Sequence, residues 1–334
     1  MLKRYNATEY MYSSARIRSL ETSIATSEQI SRLVDLESVD VLINSLGDFG
    51  FEAVYGDDGK FLREETLLRV LKSGFDNVSE MECGKAVEFL KYQYDCNNIK
   101  VLIKCGASGI SPDKMLLELG SVSIADAKKA YAQKDYSVFP TNMATAIREA
   151  EEAFAATANP QKVDFIIDRA ALADMLGSAQ ESGIPLAQRL VTTKIDLVNI
   201  MSSIRLIRMK LGIQAEALFD EIYVEGGSLD KDNLRAAVSS GEDKLSEILA
   251  YGGYSLFSEL ITSGESLGQL EKAADDKWLS VAKEARYVPF GAEVAIGYVF
   301  ALEYEVKNIR IVFAGKEAAL SSDVIRERLR GSYV

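Results

Sequence analysis

Three times in this chain a carboxylate is followed, three residues later, by the pair Asn-Ile. The occurrences are Asp95-Cys96-Asn97-Asn98-Ile99, Asp196-Leu197-Val198-Asn199-Ile200 and Glu305-Val306-Lys307-Asn308-Ile309. The asparagines are 101 and 109 residues apart. Each lies late in a stretch with helical periodicity. A separation of three puts the carboxylate and the amide on one helical face. Gly106, Gly212 and Gly315 follow the asparagines by 8, 13 and 7 residues and are expected to cap the helix ends. A period of about 100 residues is longer than a solenoid repeat. The pattern therefore predicts three copies of one helical bundle related by pseudo-threefold symmetry. The predicted domains are 1–108, 109–212 and 213–334, with joints near Ala107–Ser111 and Gly212–Ile213.

An all-α fold agrees with the sparing use of proline, which occurs only at positions 112, 140, 160, 185 and 289. Several of these stand where a helix could begin. No sustained alternating strand pattern occurs. After Pro185 the apolar positions Leu186, Leu190, Leu197, Ile200, Ile204, Ile207 and Leu211 recur at intervals of three and four, with Thr193 in the one gap. This predicts a buried stripe on a helix of about 27 residues, roughly 40 Å long. Pro160–Ser182 is predicted to be the preceding helix, burying Ile166, Ala170, Ala173 and Leu176–Gly177. Gly183–Ile184 then makes a tight connection, giving an antiparallel hairpin. The Gly56–Gly59 stretch reads as a loop.

The balance of charge excludes several function classes. Fifty acidic residues against 38 basic ones give a net charge of −12. A nucleic-acid footprint needs a basic stripe, and an anionic lipid surface would be equally disfavoured, so membrane association is expected through protein partners. Histidine is absent. That removes the commonest general base and most zinc ligand sets. Cys83, Cys96 and Cys105 lack CxxC spacing and are expected to be buried free thiols in a reducing cytoplasm. The start, Met1-Leu2-Lys3-Arg4-Tyr5, does not read as a signal peptide. The most apolar stretch, Val288–Leu302, is interrupted by Glu293 and closed by Glu303, which favours a buried core helix over a membrane span.

No motif brings cofactor or catalytic chemistry. A phosphate-binding loop needs GxxxxGK[ST] between a strand and a helix. The nearest fragment, Ala314-Gly315-Lys316-Glu317, lacks the first glycine and the hydroxyl. It is expected to break the helix, with Gly315 as the C-cap and Lys316 on the negative dipole end. No cofactor, metal or nucleotide is therefore expected. The repeated sites Asp95/Asn98, Asp196/Asn199 and Glu305/Asn308 are read as hydrogen-bonded networks between helices, since a catalytic site seldom recurs in every structural repeat. Glu303 and Lys307 could form an i,i+4 pair. The small residues Gly291, Ala292, Ala295, Gly297 and Ala301 would serve either core packing or the docking of a partner helix.

The segment Tyr287–Val334 carries a longer pattern: Gly291, Glu293, Tyr298, Ala301, Glu303, Glu305, Lys307–Arg310, Gly315–Lys316, Ile325–Arg330 and Tyr333–Val334, without a gap. It resembles the C-terminal signature of the C-type subunits of V/A-type rotary ATPases, which correspond to the d-type subunits of eukaryotic V-ATPases. Near the other end, Tyr10 with Ala15-Arg16-Ile17-Arg18 is similar to that family's Tyr…Ala-Arg-x-Arg pattern. Ala292, Val294 and Leu302 depart from it, where the family often has proline, proline and lysine.

The resemblance implies three similar helical domains in a funnel and a non-catalytic rotor socket. That socket would couple the central stalk, made of D- and F-type subunits, to the membrane ring of proteolipid c-type subunits, so that rotation moves protons or sodium ions. It would sit peripherally on the cytoplasmic face. An all-helical adaptor of another complex is the alternative. Glu293, Glu303, Arg310, Arg326 and Arg330 are candidate interface residues. The stretch Ser322–Gly331 pairs Ile325 and Leu329 with surface arginines. It would either close the third bundle or present Arg326 and Arg330, both expected to be exposed, to a partner's carboxylates.

Overall fold

The computed structural model describes residues 6–212 and 214–334. The polar opening at Met1–Tyr5, and Ile213 of the expected joint, lie outside the described residues. The helices are, in chain order, α1 (Met11–Glu21), α2 (Ser27–Asp35), α3 (Val39–Ser45), α4 (Arg63–Ser79), α5 (Glu88–Ser108), α6 (Ile124–Gln133), α7 (Thr141–Thr157) and α8 (Pro160–Ser182). They continue with α9 (Pro185–Met209), α10 (Gln214–Ile222), α11 (Lys231–Ser240), α12 (Glu242–Tyr251), α13 (Ser255–Thr262), α14 (Leu267–Ala282), α15 (Ala292–Glu317) and α16 (Ser322–Arg328). The fold is all-α. Among the described residues the only β pairing is an isolated bridge, Tyr55 to Phe61, flanking the Gly56–Gly59 turn.

The chain forms two compact units: Glu88–Ala273, and the described residues up to Val87 together with Ala274–Val334. In the first, α8 packs on α5, α7 and α9. Proline at the first helical position starts α8 and α9, and Gly183 in the left-handed region (φ 67°) makes the turn between them. Val163, Ile167, Ala170, Ala171 and Met175 of α8 are buried, whereas Ile166, Ala173, Leu176 and Gly177 are half-buried. Burial on α8 is thus broader than the expected stripe, of which only Ala170 is fully buried. Asp174 also turns inward and accepts the backbone N–H groups of Asn142 (3.0 Å) and Met143 (2.8 Å) and the Asn142 side-chain amide (2.7 Å). These amides open α7, whose own N-cap residue is Pro140 and has no side chain to offer them.

In the second unit α15 is buried on nearly every face, and α1, α2, α3, α4 and α16 pack on it. Leu302 projects against α4 at Gly74, where a β-carbon would lie 2.1 Å from its Cδ1. Arg18 ties α1 to the turn before α15 by donating to the carbonyls of Ala285 (2.7 Å) and Val288 (3.0 Å). Ser14 accepts from Gly291 N–H at 3.0 Å, where α15 begins.

The expected helix break at Ala314–Lys316 is absent. α15 runs through Gly315 to Glu317, and the chain turns at Ala318–Ala319. Gly315 has another reason to be glycine: Ile325 of α16 sits against it, and a β-carbon there would be 2.5 Å from the isoleucine Cγ1. Gly106 likewise lies inside α5, facing the Tyr131 hydroxyl, while Gly109 (φ 67°) supplies the left-handed turn after the helix. Gly212 also has positive φ, but α9 is capped two residues earlier at Lys210. Lys316 lies in the last turn of α15, as expected, and its ammonium also reaches a second helix end. It donates to the carbonyls of Val34 (3.0 Å) and Leu36 at the end of α2. Within the stretch Ser322–Gly331 the helix covers Ser322–Arg328.

Candidate functional site

Each of the three repeated sites proves to be a device for holding backbone. Asn98 on α5 donates its side-chain amide to the Leu117 carbonyl (2.8 Å) and accepts the Leu117 N–H (2.8 Å). Asn199 on α9 does the same with Val224, at 2.8 and 3.0 Å. Asn308 on α15 does the same with Arg330, at 3.1 and 2.8 Å. A carboxamide matches a peptide group donor for acceptor, which is why asparagine suits a site that must satisfy both backbone groups of one residue away from water.

The carboxylates, three residues earlier, hold neighbouring amides. Asp95 accepts Ser121 N–H (2.9 Å), Ser121 Oγ (2.5 Å) and Val122 N–H (3.1 Å). Asp196 accepts Ser228 N–H (2.8 Å), Leu229 N–H (3.0 Å), the Ser228 hydroxyl and the Tyr254 hydroxyl (2.8 Å). Glu305 accepts Ala25 N–H at 2.7 Å. All three carboxylates and all three asparagines are buried.

Burial governs their electrostatics. It pushes the Asp95 carboxyl up, against the lowering effect of the Ser121 and Val122 donors. It pushes Glu305 up to about 7, opposed only by the Ala25 amide. It also raises the Tyr254 phenol, helped by Asp196 beside it. A buried acid engaged by backbone amides satisfies donors that would otherwise be stranded away from water. Among the described residues no group of Cys, Asp or Glu side chains is placed to hold a metal ion. The three cysteines are free and buried.

Sequence reasoning missed the receiving segments. Leu117-Glu118-Leu119-Gly120-Ser121-Val122-Ser123 and Val224-Glu225-Gly226-Gly227-Ser228-Leu229-Asp230 align position for position, 107 residues apart. The signal was there: an apolar residue and Glu, then Gly-Ser, an apolar residue and a helix N-cap. The glycines are demanded by the acids, because a β-carbon on Gly120 would lie 2.1 Å from Asp95 Oδ1 and one on Gly227 would lie 2.3 Å from Asp196 Oδ1.

The other candidate residues are spread along α15 and the segment after it. Glu293 and Glu303 are half-buried on α15. Arg310 forks onto Glu64 of α4 (2.8 and 3.0 Å). Lys307, expected beside Glu303, lies 2.8 Å from Asp275. Arg330 is not exposed: its side chain is 17% accessible and pairs with Asp275 at 2.7 Å, while its backbone is the group that Asn308 holds. Burial opposes ionisation of Asp275, but Lys307 and then Arg330 outweigh it and hold the carboxyl below its usual range. Arg326 is half-exposed and bridges Asp35 of α2 and Asp323. Ile325 is buried, so the apolar edge of α16 closes onto this chain's own α15.

No helix of the described residues is long and apolar enough to cross a membrane. The family model for the ATP synthase (C/AC39) subunit matches residues 13–328. The C-type subunit of the V-type sodium ATPase of Enterococcus hirae is 24% identical over 97% of this chain and 99% of its own length. Its counterpart in the A-type ATP synthase of Methanocaldococcus jannaschii is 24% identical over 96% of this chain and 86% of its own. The counterpart in the A-type ATP synthase of Halobacterium salinarum reaches 32% identity over 46% of this chain and 44% of its own.

Proposed function

Because the chain belongs to the ATP synthase (C/AC39) subunit family, we propose that it is a non-catalytic rotor socket of a V/A-type rotary ATPase or synthase. It receives the central stalk of D- and F-type subunits and passes torque to the proteolipid c-type ring. It is peripheral to the membrane on the cytoplasmic face, held there by these protein partners. The moving ion, proton or sodium, is chosen elsewhere in the complex.

The observation that carries this reading is the use made of the buried acids. Asp95, Asp174, Asp196 and Glu305 all accept backbone N–H groups that lead into or begin another helix. Such bonds resist sliding of one helix past another, which is what a torque-bearing part needs. The recurrence of the asparagine bond pair at 98, 199 and 308 supports three related helical units. Among the candidate interface residues, Arg310, Arg326 and Arg330 all hold acids of this chain, and Arg330 is the most enclosed of the three, so Arg310 and Arg326 keep more of their surface for meeting a partner.

Co-purification of the tagged full chain from native membranes tests the reading. D-, F- and c-type subunits should be recovered together with it. Recovery of an unrelated assembly without them would favour the all-helical adaptor instead.

A further inference from the structure

The three acid–asparagine sites share more than their bonds. Asp95 accepts the amide of Val122, the residue immediately before Ser123, the N-cap of α6. Asp196 accepts the amide of Leu229, immediately before Asp230, the N-cap of α11. Glu305 accepts the amide of Ala25, immediately before Thr26, the N-cap of α2. The helices so positioned are similar in length: 10, 10 and 9 residues. By this equivalence α2 is the counterpart of α6 and α11.

The routes by which the chain reaches these helices differ. At the first two sites the asparagine holds a residue six positions upstream of the cap, Leu117 before Ser123 and Val224 before Asp230, on one continuous stretch. At the third site the asparagine holds Arg330, while the capped helix begins at Ser27. The two segments are joined without a covalent link: Ser332 Oγ donates to the Ala25 carbonyl, across 307 positions of sequence. Both then lie on α15, one through Asn308 and the other through Glu305.

We propose that Glu305, Asn308 and Ser332 form a clasp that fastens two sequence-distant segments, residues 23–35 and 329–333, onto α15, completing from separate pieces the unit that the chain elsewhere builds from continuous sequence. Such a clasp would hold whether or not the chain is a rotor part.

The substitution pattern follows from the geometry. At the continuous sites aspartate comes so close to its loop that glycine is required two residues before the accepted amide, at 120 and 227. In the clasp the equivalent position is Ser23, and the acid is glutamate, one methylene longer. The longer arm reaches a loop that keeps its distance. Further ties reinforce the later segment: Asp275 on the Arg330 side chain, Asp276 on the Gly331 N–H (2.7 Å) and Arg286 on the Tyr333 carbonyl (3.2 Å). Residues 6–87 and Glu88–Ser108 fall in different compact units.

Hydrogen exchange read by mass spectrometry on the full chain tests the clasp. In Asn308→Ala, peptides covering residues 23–35 should exchange at least tenfold faster, although no substituted atom touches them. Peptides at 117–122 and 224–229 should be unchanged. Asn98→Ala is the continuous counterpart and should accelerate exchange in α6 while leaving residues 23–35 alone. If Asn308→Ala does not fold, Ser332→Ala, which removes only the link to Ala25, and Glu305→Asp, which shortens the arm, should each accelerate exchange at residues 23–35. Unchanged protection of residues 23–35 in the folded variants, with effects confined to α15 and residues 329–333, would overturn the proposal.

Discussion

The Tyr333 hydroxyl oxygen stands 2.2 Å from the point where a β-carbon on Gly297 would be. A glycine in the second turn of α15 thus makes the seat for a tyrosine from beyond α16, and the Ala285 methyl would lie 2.8 Å from the same point. Gly297→Ala should gain about 1 kcal/mol of helix propensity and lose more than that by overpacking, which typically costs about 1–3 kcal/mol. Urea unfolding should report a net loss of stability. Tyr333→Phe paired with Gly297→Ala should recover part of it, since the oxygen is the atom in conflict.

Glu305 makes stability depend on pH in an unusual direction for a carboxylate. Its pKa rises from 4.5 to about 7 because it is buried. Between those values the folded chain holds a proton that the unfolded chain does not. The stability associated with this group is therefore complete below about pH 4.5 and is lost as pH rises through about 7. Glu305→Gln keeps an acceptor for Ala25 and cannot ionise. It should flatten this part of the pH profile and raise stability at pH 8 by about 1–3 kcal/mol. Denaturant midpoints across the pH range check both the sign and the window.

Gly120 and Gly227 are required by their aspartates rather than by backbone conformation, since neither has positive φ. Gly120→Ala and Gly227→Ala should each cost about 2 kcal/mol or more, because a methyl group would be driven into a buried carboxylate. Ala at the unconfined, helical Gly177 should instead be neutral or slightly stabilising. Thermal unfolding of the three variants separates the cases.

Asp174→Ala should leave the buried amide of Met143 and the part-buried amide of Asn142 without their acceptor at the start of α7. The expected cost is about 2–3 kcal/mol. Asn142→Ala, which removes only a side-chain donor, should cost less. The measurement is equilibrium unfolding, with exchange rates in the first turn of α7 as the local readout.

What could be read in advance was what the chain decides locally. Pro160 and Pro185 open helices because proline tolerates the first helical turn, and Gly183 closes the first of them because it accepts a left-handed conformation. The acid and asparagine positions were visible through their repetition. The roles of Gly106 and Gly315 were not, since their partners Tyr131 and Ile325 come from other helices and a C-cap was the local alternative. Lys316 stands at the end of its own helix as read, but the carbonyls it donates to lie about 280 positions away at the end of α2 and could not be foreseen. Arg330 looked like a surface cation because Asp275, which buries it, is remote in sequence. The Gly-Ser segments could have been found by aligning the chain against itself beyond the Asn-Ile pairs.

In the proposed role this chain transmits rotation without taking part in the chemistry. Ion uptake and ATP hydrolysis measured together, in vesicles carrying the complex assembled with and without this chain, test it most directly. The account predicts that omission abolishes ATP-driven ion transport while the soluble sector continues to hydrolyse ATP, and that adding the chain back restores transport. Ion transport that stays coupled to hydrolysis in its absence would contradict the account.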